Sequence, residues 1–331
     1  MKQARFFTTL GVAALFYLGV PGATGQKIPA VQHPMKAQLA ILDTDIGDDI
    51  DDAFALALAL RSPELRLLGI TTAYGDTELR ARLVDRYLAS VGRSTIPVAA
   101  GAPTAHSNVF TQAAYAKEAP DKKHPDAVEF LLGQIRLHPG EITLIAIGPL
   151  VNIGAAIERD PATFRKLKRV VLMGGSVARG YDDKSGAHRP PDPEWNIVCF
   201  PAGAKALLAS GVPVFMMPLD STQIHLETPQ REAIFSHGSA LTDQLTLLYH
   251  EWMGGTDGHS PALAPTLFDP VAVTYAVRPE LCPATPMRLE VDDKGFTRRV
   301  DGAPNAQVCL QSNEKGFLEF LLSRITKEMA R

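Results

Sequence analysis

The chain has 331 residues, of which 46% are hydrophobic and 21% charged, and its mean hydropathy is zero. These values describe a soluble globular protein with a substantial core and exclude an intrinsically disordered chain. A net charge of -3, a pI near 6.3 and the lack of any basic run exclude a nucleic-acid polymer as the partner.

At the N-terminus, Lys2 and Arg5 precede an apolar stretch from Phe6 to Val20, and small residues follow in "PGATGQ". That is the layout of a secretory signal, with cleavage expected after Gly25. The stretch is too short and too one-sidedly basic for a membrane span; the competing reading is a buried first helix. The organisation expected is a signal peptide over 1–25, a linker over 26–37 and one domain over 38–331. The mature protein is then periplasmic or secreted, with no stable membrane insertion.

Six short, almost continuously apolar runs come next: "LAIL" (39–42), "LRLLGITTA" (65–73), "IPVAA" (96–100), "ITLIAI" (142–147), "RVVLMG" (169–174) and "VPVFMM" (212–217). Such runs are the signature of parallel strands covered on both faces. Helical stretches separate them at Glu78–Val91, Pro125–Leu137, Pro149–Arg159 and Pro201–Ser210. Strand alternating with helix predicts an α/β protein with a doubly wound, mostly parallel central sheet. The Ala/Leu-rich run after Asp52 reads as a buried helix ended by Ser62-Pro63. Long connections at 101–124, 175–193 and 253–267 are placed to form the ligand crevice. The C-terminal part reads as a small hairpin closing the sheet's edge, followed by a helix over Glu314–Arg331.

Only Cys199, Cys282 and Cys309 are present, and none is in CxxC spacing, so no zinc site is indicated. Cys282 and Cys309 flank the hairpin. A disulfide between them suits an oxidising compartment, and the alternative is three free, partly buried thiols.

The chemistry is concentrated in "LAILDTDIGDDIDDAFALALAL", which places six aspartates within Asp43–Asp52 directly after the first strand. Crowded carboxylates raise one another's pKa unless cations or hydrogen-bond donors neutralise them. A helix N-terminus offers about 0.3–1 kcal/mol per acid, too little for six, so a hard divalent metal is the economical answer. Two other readings stay open on this stretch alone: a solvated capping run, and a phosphatase of the haloacid dehalogenase type with its D-x-D pair. An EF-hand fails, because Gly47 is misplaced and Phe54 stands where the bidentate glutamate belongs.

"ILDTDIGDDIDDAFAL" resembles the N-terminal signature of the nucleoside hydrolases, the inosine-uridine-preferring family that cleaves ribonucleosides with bound calcium. Further matching segments follow in order: "GITTAYGD" (69–76), "AIGPLVNI" (146–153), "VVLMGGS" (170–176), "PEWNI" (193–197), "MPLDST" (217–222) and "FDPVAV" (268–273). The resemblance implies a Rossmann-like nucleoside hydrolase fold, a calcium ion, a small nucleoside substrate and a homo-oligomer, dimer or tetramer. Asp45 resembles the aspartate that ligates calcium and acts as general base on the water. Asp52, Asp269 and the backbone carbonyl of Ile147 resemble the other ligands. Asp51 takes the place of the acid on the ribose 2′-hydroxyl, and Asp269 also that of the 3′-hydroxyl contact. Met173, Glu194 and Asn196 are implied substrate contacts, and Trp195 walls the pocket.

The chain also departs from the pattern. Two extra residues follow Asp45, so Asp49 competes with Asp51 for the ribose, and Asp43 is a further acid of undecided role. Asp76 replaces an asparagine common in the family. Phe268 stands where many members carry a proton-donating histidine; it can stack on a purine but cannot protonate a leaving base. His259 is then a candidate acid, against a solvated loop histidine, and Trp252 a candidate base-pocket wall, against simple packing. The expected activity is hydrolysis of the N-glycosidic bond, leaning to purine nucleosides. The competing functions are an exported, calcium-stabilised nucleoside or sugar binding protein, and the phosphatase.

Overall fold

Each of the six apolar runs forms a strand: β1 (Gln38–Thr44), β2 (Leu65–Thr72), β3 (Val98–Ala100), β4 (Thr143–Ala146), β5 (Arg169–Met173) and β6 (Val214–Met217). This is a computed structural model, and it describes residues 1, 37–105, 108–182, 186–255 and 264–327. The expected signal peptide and nearly all of the linker lie outside the described residues, as does His259.

The six strands are parallel and stand in the order β3-β2-β1-β4-β5-β6. Alternate residues of β1 enter two separate cores, Ala40 and Leu42 on one face and Leu39 and Ile41 on the other. Burial on both faces is why the runs are apolar without alternation. From β1 the chain winds outward through β2 and β3, then resumes on the other side of β1 with β4. A reversal of this kind leaves a crevice beyond the carboxyl ends of the two central strands.

The Ala/Leu run is the helix Asp51–Leu60, with all ten residues buried. It packs against the helix Phe268–Val277. Burying Phe54, Leu56 and Leu58 contributes about 1.5–3 kcal/mol each, which anchors the acids at the helix start. Among the described residues no helix is long and apolar enough to cross a membrane.

The C-terminal region forms the expected hairpin at the sheet's edge and adds one strand that was not expected. β7 (Thr285–Val291) and β8 (Thr297–Val300) form the antiparallel hairpin, but β9 (Ala306–Val308) lies between β6 and β7. It is parallel to β6 and antiparallel to β7. The hairpin therefore does not close the sheet directly on β6; "AQV" is too short to carry a strand signal of its own. Cys282 and Cys309 are joined in a disulfide, with a Cα–Cα distance of 5.6 Å, while Cys199 is free. The last helix spans Glu314–Ile325, shorter than expected, and is capped by Asn313, whose side chain accepts from Gly316 N at 3.0 Å.

Candidate active site

The acidic segment folds as strand, turn and helix. Asp43 is in β1, Asp45 in the turn, and Asp51 and Asp52 open the helix Asp51–Leu60. Gly47 makes the turn with φ +127°, and a Cβ there would run into the Phe110 ring at 2.1 Å. Asp269 lies in the first turn of the helix Phe268–Val277, so two helix N-termini converge. Asp51, Asp52 and Asp269 are buried and offer carboxylate oxygens all within 4.8 Å of one another. Asp269 N donates to Asp51 Oδ2 at 3.2 Å, and Thr44 Oγ1 donates to Asp52 Oδ1 at 2.5 Å.

Burial pushes all three carboxyls well above the ordinary range, and the charges of their acidic neighbours push further. Burial likewise raises Asp45 to about 7, with Arg80 opposing and Asp48 adding to the shift. A cluster of dehydrated, mutually repelling carboxylates with only oxygen donors fits a hard divalent cation. The geometric trio differs from the implied ligand set: it includes Asp51, and Asp45 stands outside it. Gly148 explains how close the next strand comes to Asp45, since a Cβ there would meet Asp45 N and Oδ1 at 2.8 Å.

Arg80, which the sequence reading did not single out, is fully buried beneath the turn. It donates to the carbonyls of Asp45, of Ile46 at 3.0 Å and of Tyr74 at 2.8 Å, and pairs with Asp48 Oδ2 at 3.0 Å. Its guanidinium thus ties the turn to the helix Thr77–Ser90 and supplies part of the neutralising charge. A signal existed: Arg80, Leu83, Val84 and Tyr87 share the buried face of that helix, where an arginine needs a partner.

The trio opens into a cavity of about 470 Å³. Asp45, Asp49, Asp51, Asp52, Ile147, Met173, Glu194, Trp195, Asn196, Trp252, Phe268 and Asp269 all line it. Asn196 Nδ2 donates to the carbonyls of Ile147 and Met173, both at 3.2 Å, which orients the Ile147 oxygen. Glu194 caps the short helix Trp195–Val198. Its Oε1 accepts from Asn196 N at 2.9 Å, and its Oε2 from Gly175 N at 2.8 Å and Ile197 N at 3.2 Å. Both oxygens of the expected sugar contact are therefore already engaged by backbone N–H groups, and burial raises the carboxyl to about 7. Trp252 both lines the cavity and packs on Tyr249, with ring centroids 5.8 Å apart.

Two of the acids fall elsewhere. Asp43 is not in the cavity wall; its Oδ1 accepts from Thr71 Oγ1 at 2.5 Å and Asn152 Nδ2 at 2.8 Å, linking β1 to β2 and to the helix Val151–Arg159. Asp76 is exposed and caps the helix Thr77–Ser90 by accepting from Leu79 N at 3.0 Å. It does not line the cavity, because the cap turns its carboxylate toward its own helix. Asp48, Tyr181, Asn108, Val109 and Thr111 complete the wall; the last four were not singled out, since their loops carry no periodic pattern. A larger hollow of about 760 Å³, between Lys205 and Gln307 at the other end of the sheet, gathers no comparable acids.

An acidic floor at the switch point, roofed by aromatic rings, suits hydrolysis of a small ligand that is polar at one end and flat at the other. Residues 40–319 match the family model described as inosine-uridine preferring nucleoside hydrolase, and the chain belongs to that family. It is a hydrolase acting on N-glycosyl compounds, and its reaction is cleavage of ribonucleosides. A pyrimidine-specific ribonucleoside hydrolase RihA from Shigella boydii serotype 4 is 29% identical over 316 residues, covering 86% of this chain and 97% of the relative. The plant nucleoside hydrolase PpNRh1 superposes with a TM-score of 0.77 at 25% identity, covering 88% of this chain and 100% of that one. A purine-preferring ribonucleoside hydrolase from Gardnerella vaginalis gives 0.74 at 26% identity, covering 87% and 98%.

Proposed function

We propose that this protein hydrolyses ribonucleosides by calcium-assisted attack of water, with Asp45 as the base, and that it prefers purine nucleosides. The observation that carries the reading is the buried trio Asp51, Asp52 and Asp269 at the floor of a ring-lined cavity. The trio, with Asp45 and the Ile147 carbonyl beside it, would hold the ion. When bound, a hard cation of this class lowers the pKa of water and offsets the carboxylate charge.

Asp45 lines the cavity beside the trio, and its carboxylate is suited to take a proton from water held there. The acids around the sugar stabilise the positive charge that develops at the anomeric carbon. Asn196 holds the Ile147 carbonyl in place, and Glu194 fixes the backbone that carries Asn196 and Trp195. At the other end, Phe268, Trp195 and Trp252 give flat apolar walls. They support a purine, whose larger face gains more from stacking. Phe268 has no proton to give, so the base leaves by virtue of stacking and solvent.

Export is part of the same proposal. Its support is the Cys282–Cys309 bridge, a bond typical of oxidising compartments, together with the basic-then-apolar N-terminal layout.

The test is release of base and reducing sugar from inosine, uridine and a nitrophenyl riboside, before and after chelation, with Asp45→Ala alongside. Calcium-dependent release abolished in the variant is the expected result. Nucleoside binding without turnover in the wild type would replace the enzyme with a binding protein, and faster turnover of uridine than inosine would reverse the base preference.

A further inference from the structure

The cavity wall carries one phenol hydroxyl, that of Tyr181. Tyr181 comes from the loop after β5 and sets its ring edge-on to Phe268, with centroids 6.2 Å apart. Its oxygen accepts the backbone N–H of Trp195 at 3.0 Å. That donor stands at the start of the helix Trp195–Val198, which Glu194 caps and thereby fixes. A phenol oxygen that accepts one bond still has its own proton to donate. Among the described residues no acceptor takes a hydrogen bond from that proton, and the residue borders open cavity.

The two ends of Tyr181 face different parts of the site. The ring meets Phe268, on the aromatic side. The oxygen sits at the junction of Glu194 and Trp195, close enough to the acids that Glu194 and Asp51 add to burial in holding the phenol well above its ordinary range. It therefore keeps its proton throughout the working pH range and serves as a donor.

We propose that Tyr181 is a ribose-binding residue: its hydroxyl, positioned by the Trp195 N–H, donates a hydrogen bond to one hydroxyl of the nucleoside's sugar. This assignment rests on the nucleoside reading of the cavity. Leaving a donor buried and unpaired is unfavourable, so the bond also discriminates against sugars lacking that hydroxyl.

The experiment is Tyr181→Phe, which keeps the ring against Phe268 and removes only the oxygen, with a melting curve to check the fold. Expected is a fall of about tenfold in kcat/KM for inosine, the worth of one neutral hydrogen bond. The fall is carried mainly by KM, and the inhibition constant for ribose rises by the same factor while that for free hypoxanthine stays unchanged. Among 2′-, 3′- and 5′-deoxyinosine, one substrate is hydrolysed equally well by variant and wild type. Unchanged ribose inhibition, or an equal penalty on all three deoxy substrates, overturns the assignment. A wild-type protein that releases no base from any nucleoside overturns the nucleoside reading and this assignment together, so the two failures are told apart.

Discussion

Asp51, Asp52 and Asp269 stand in the first turns of two helices packed on each other, whereas Val109 and Tyr181 reach the same cavity from loops and Trp252 from the far end of a helix. The first group is fixed by a buried frame in which nearly every neighbour is core. The second group hangs from the connections that tolerate most change. The difference teaches that the acids and the rings of this cavity are physically separable: a change in the wall can alter what fits there without disturbing the floor. It is consistent with one family holding both a pyrimidine-specific relative and a purine-preferring one.

The largest effect expected from breaking the floor is that of Asp52→Asn, which lowers kcat about 10³-fold, the range for losing a principal electrostatic contact. Steady-state kinetics with inosine and uridine measure it, and both substrates suffer equally. Because the change also removes a buried like charge, the chelated variant melts above the chelated wild type. Equal melting would show that repulsion among the acids is not what the ion relieves.

Second in size is the pH dependence of the floor. Glu194 is raised from its ordinary 4.5 to about 7, so the folded state holds its proton more tightly than the unfolded state. The stability this contributes is complete below about 4.5 and is lost as pH rises through about 7, a swing of about 3 kcal/mol. Asp45, raised to about 7, acts in the same direction. Denaturant titration of chelated protein at pH 5 and pH 8 should show the drop, and calcium should stabilise more at pH 8. A metal-free protein that is firmer at pH 8 contradicts this account.

A smaller effect separates the wall from the floor. Phe268→Ala should reduce kcat/KM for inosine about tenfold, the order of a lost stacking surface, while the nitrophenyl riboside falls less than threefold. Equal losses on both substrates would place Phe268 with the acids. Smallest is Asp76→Ala, which removes a helix cap worth about 1 kcal/mol. Activity should be unchanged and the melting temperature lowered; a selective loss of activity would return Asp76 to the site.

Much of the fold was legible because parallel strands buried on both faces are written as apolar runs, and the acidic turn because its charge is too dense to be left solvated. Other features have no local signature. Arg80 interacts with a turn about 35 residues earlier in the chain, and only its position on an otherwise apolar helix face gives it away. Glu194, read from the sequence as a sugar contact, lies in the cavity wall as a helix cap, which was not legible, since nothing in "PEWNI" tells which backbone groups its oxygens meet. Tyr181 lies in a loop whose path is set by tertiary contacts. β9 is three residues long, and its place beside β6 follows from the sheet and not from its own sequence.

That late strand has a consequence for how the molecule comes into being. β6 ends at Met217 and pairs with β5 on one side, but finds its second neighbour only in Ala306–Val308. During synthesis the sheet therefore waits for nearly the whole polypeptide while one flank of β6 stays open, presenting unpaired backbone groups of the kind that recruit foreign strands. The Cys282–Cys309 bond then seals the arrival, tying together cysteines 27 positions apart around the hairpin. A nascent chain cut short before residue 306 would retain every acid of the floor and eight of the nine strands, and yet leave the ribosome with the flank of β6 open and prone to aggregation.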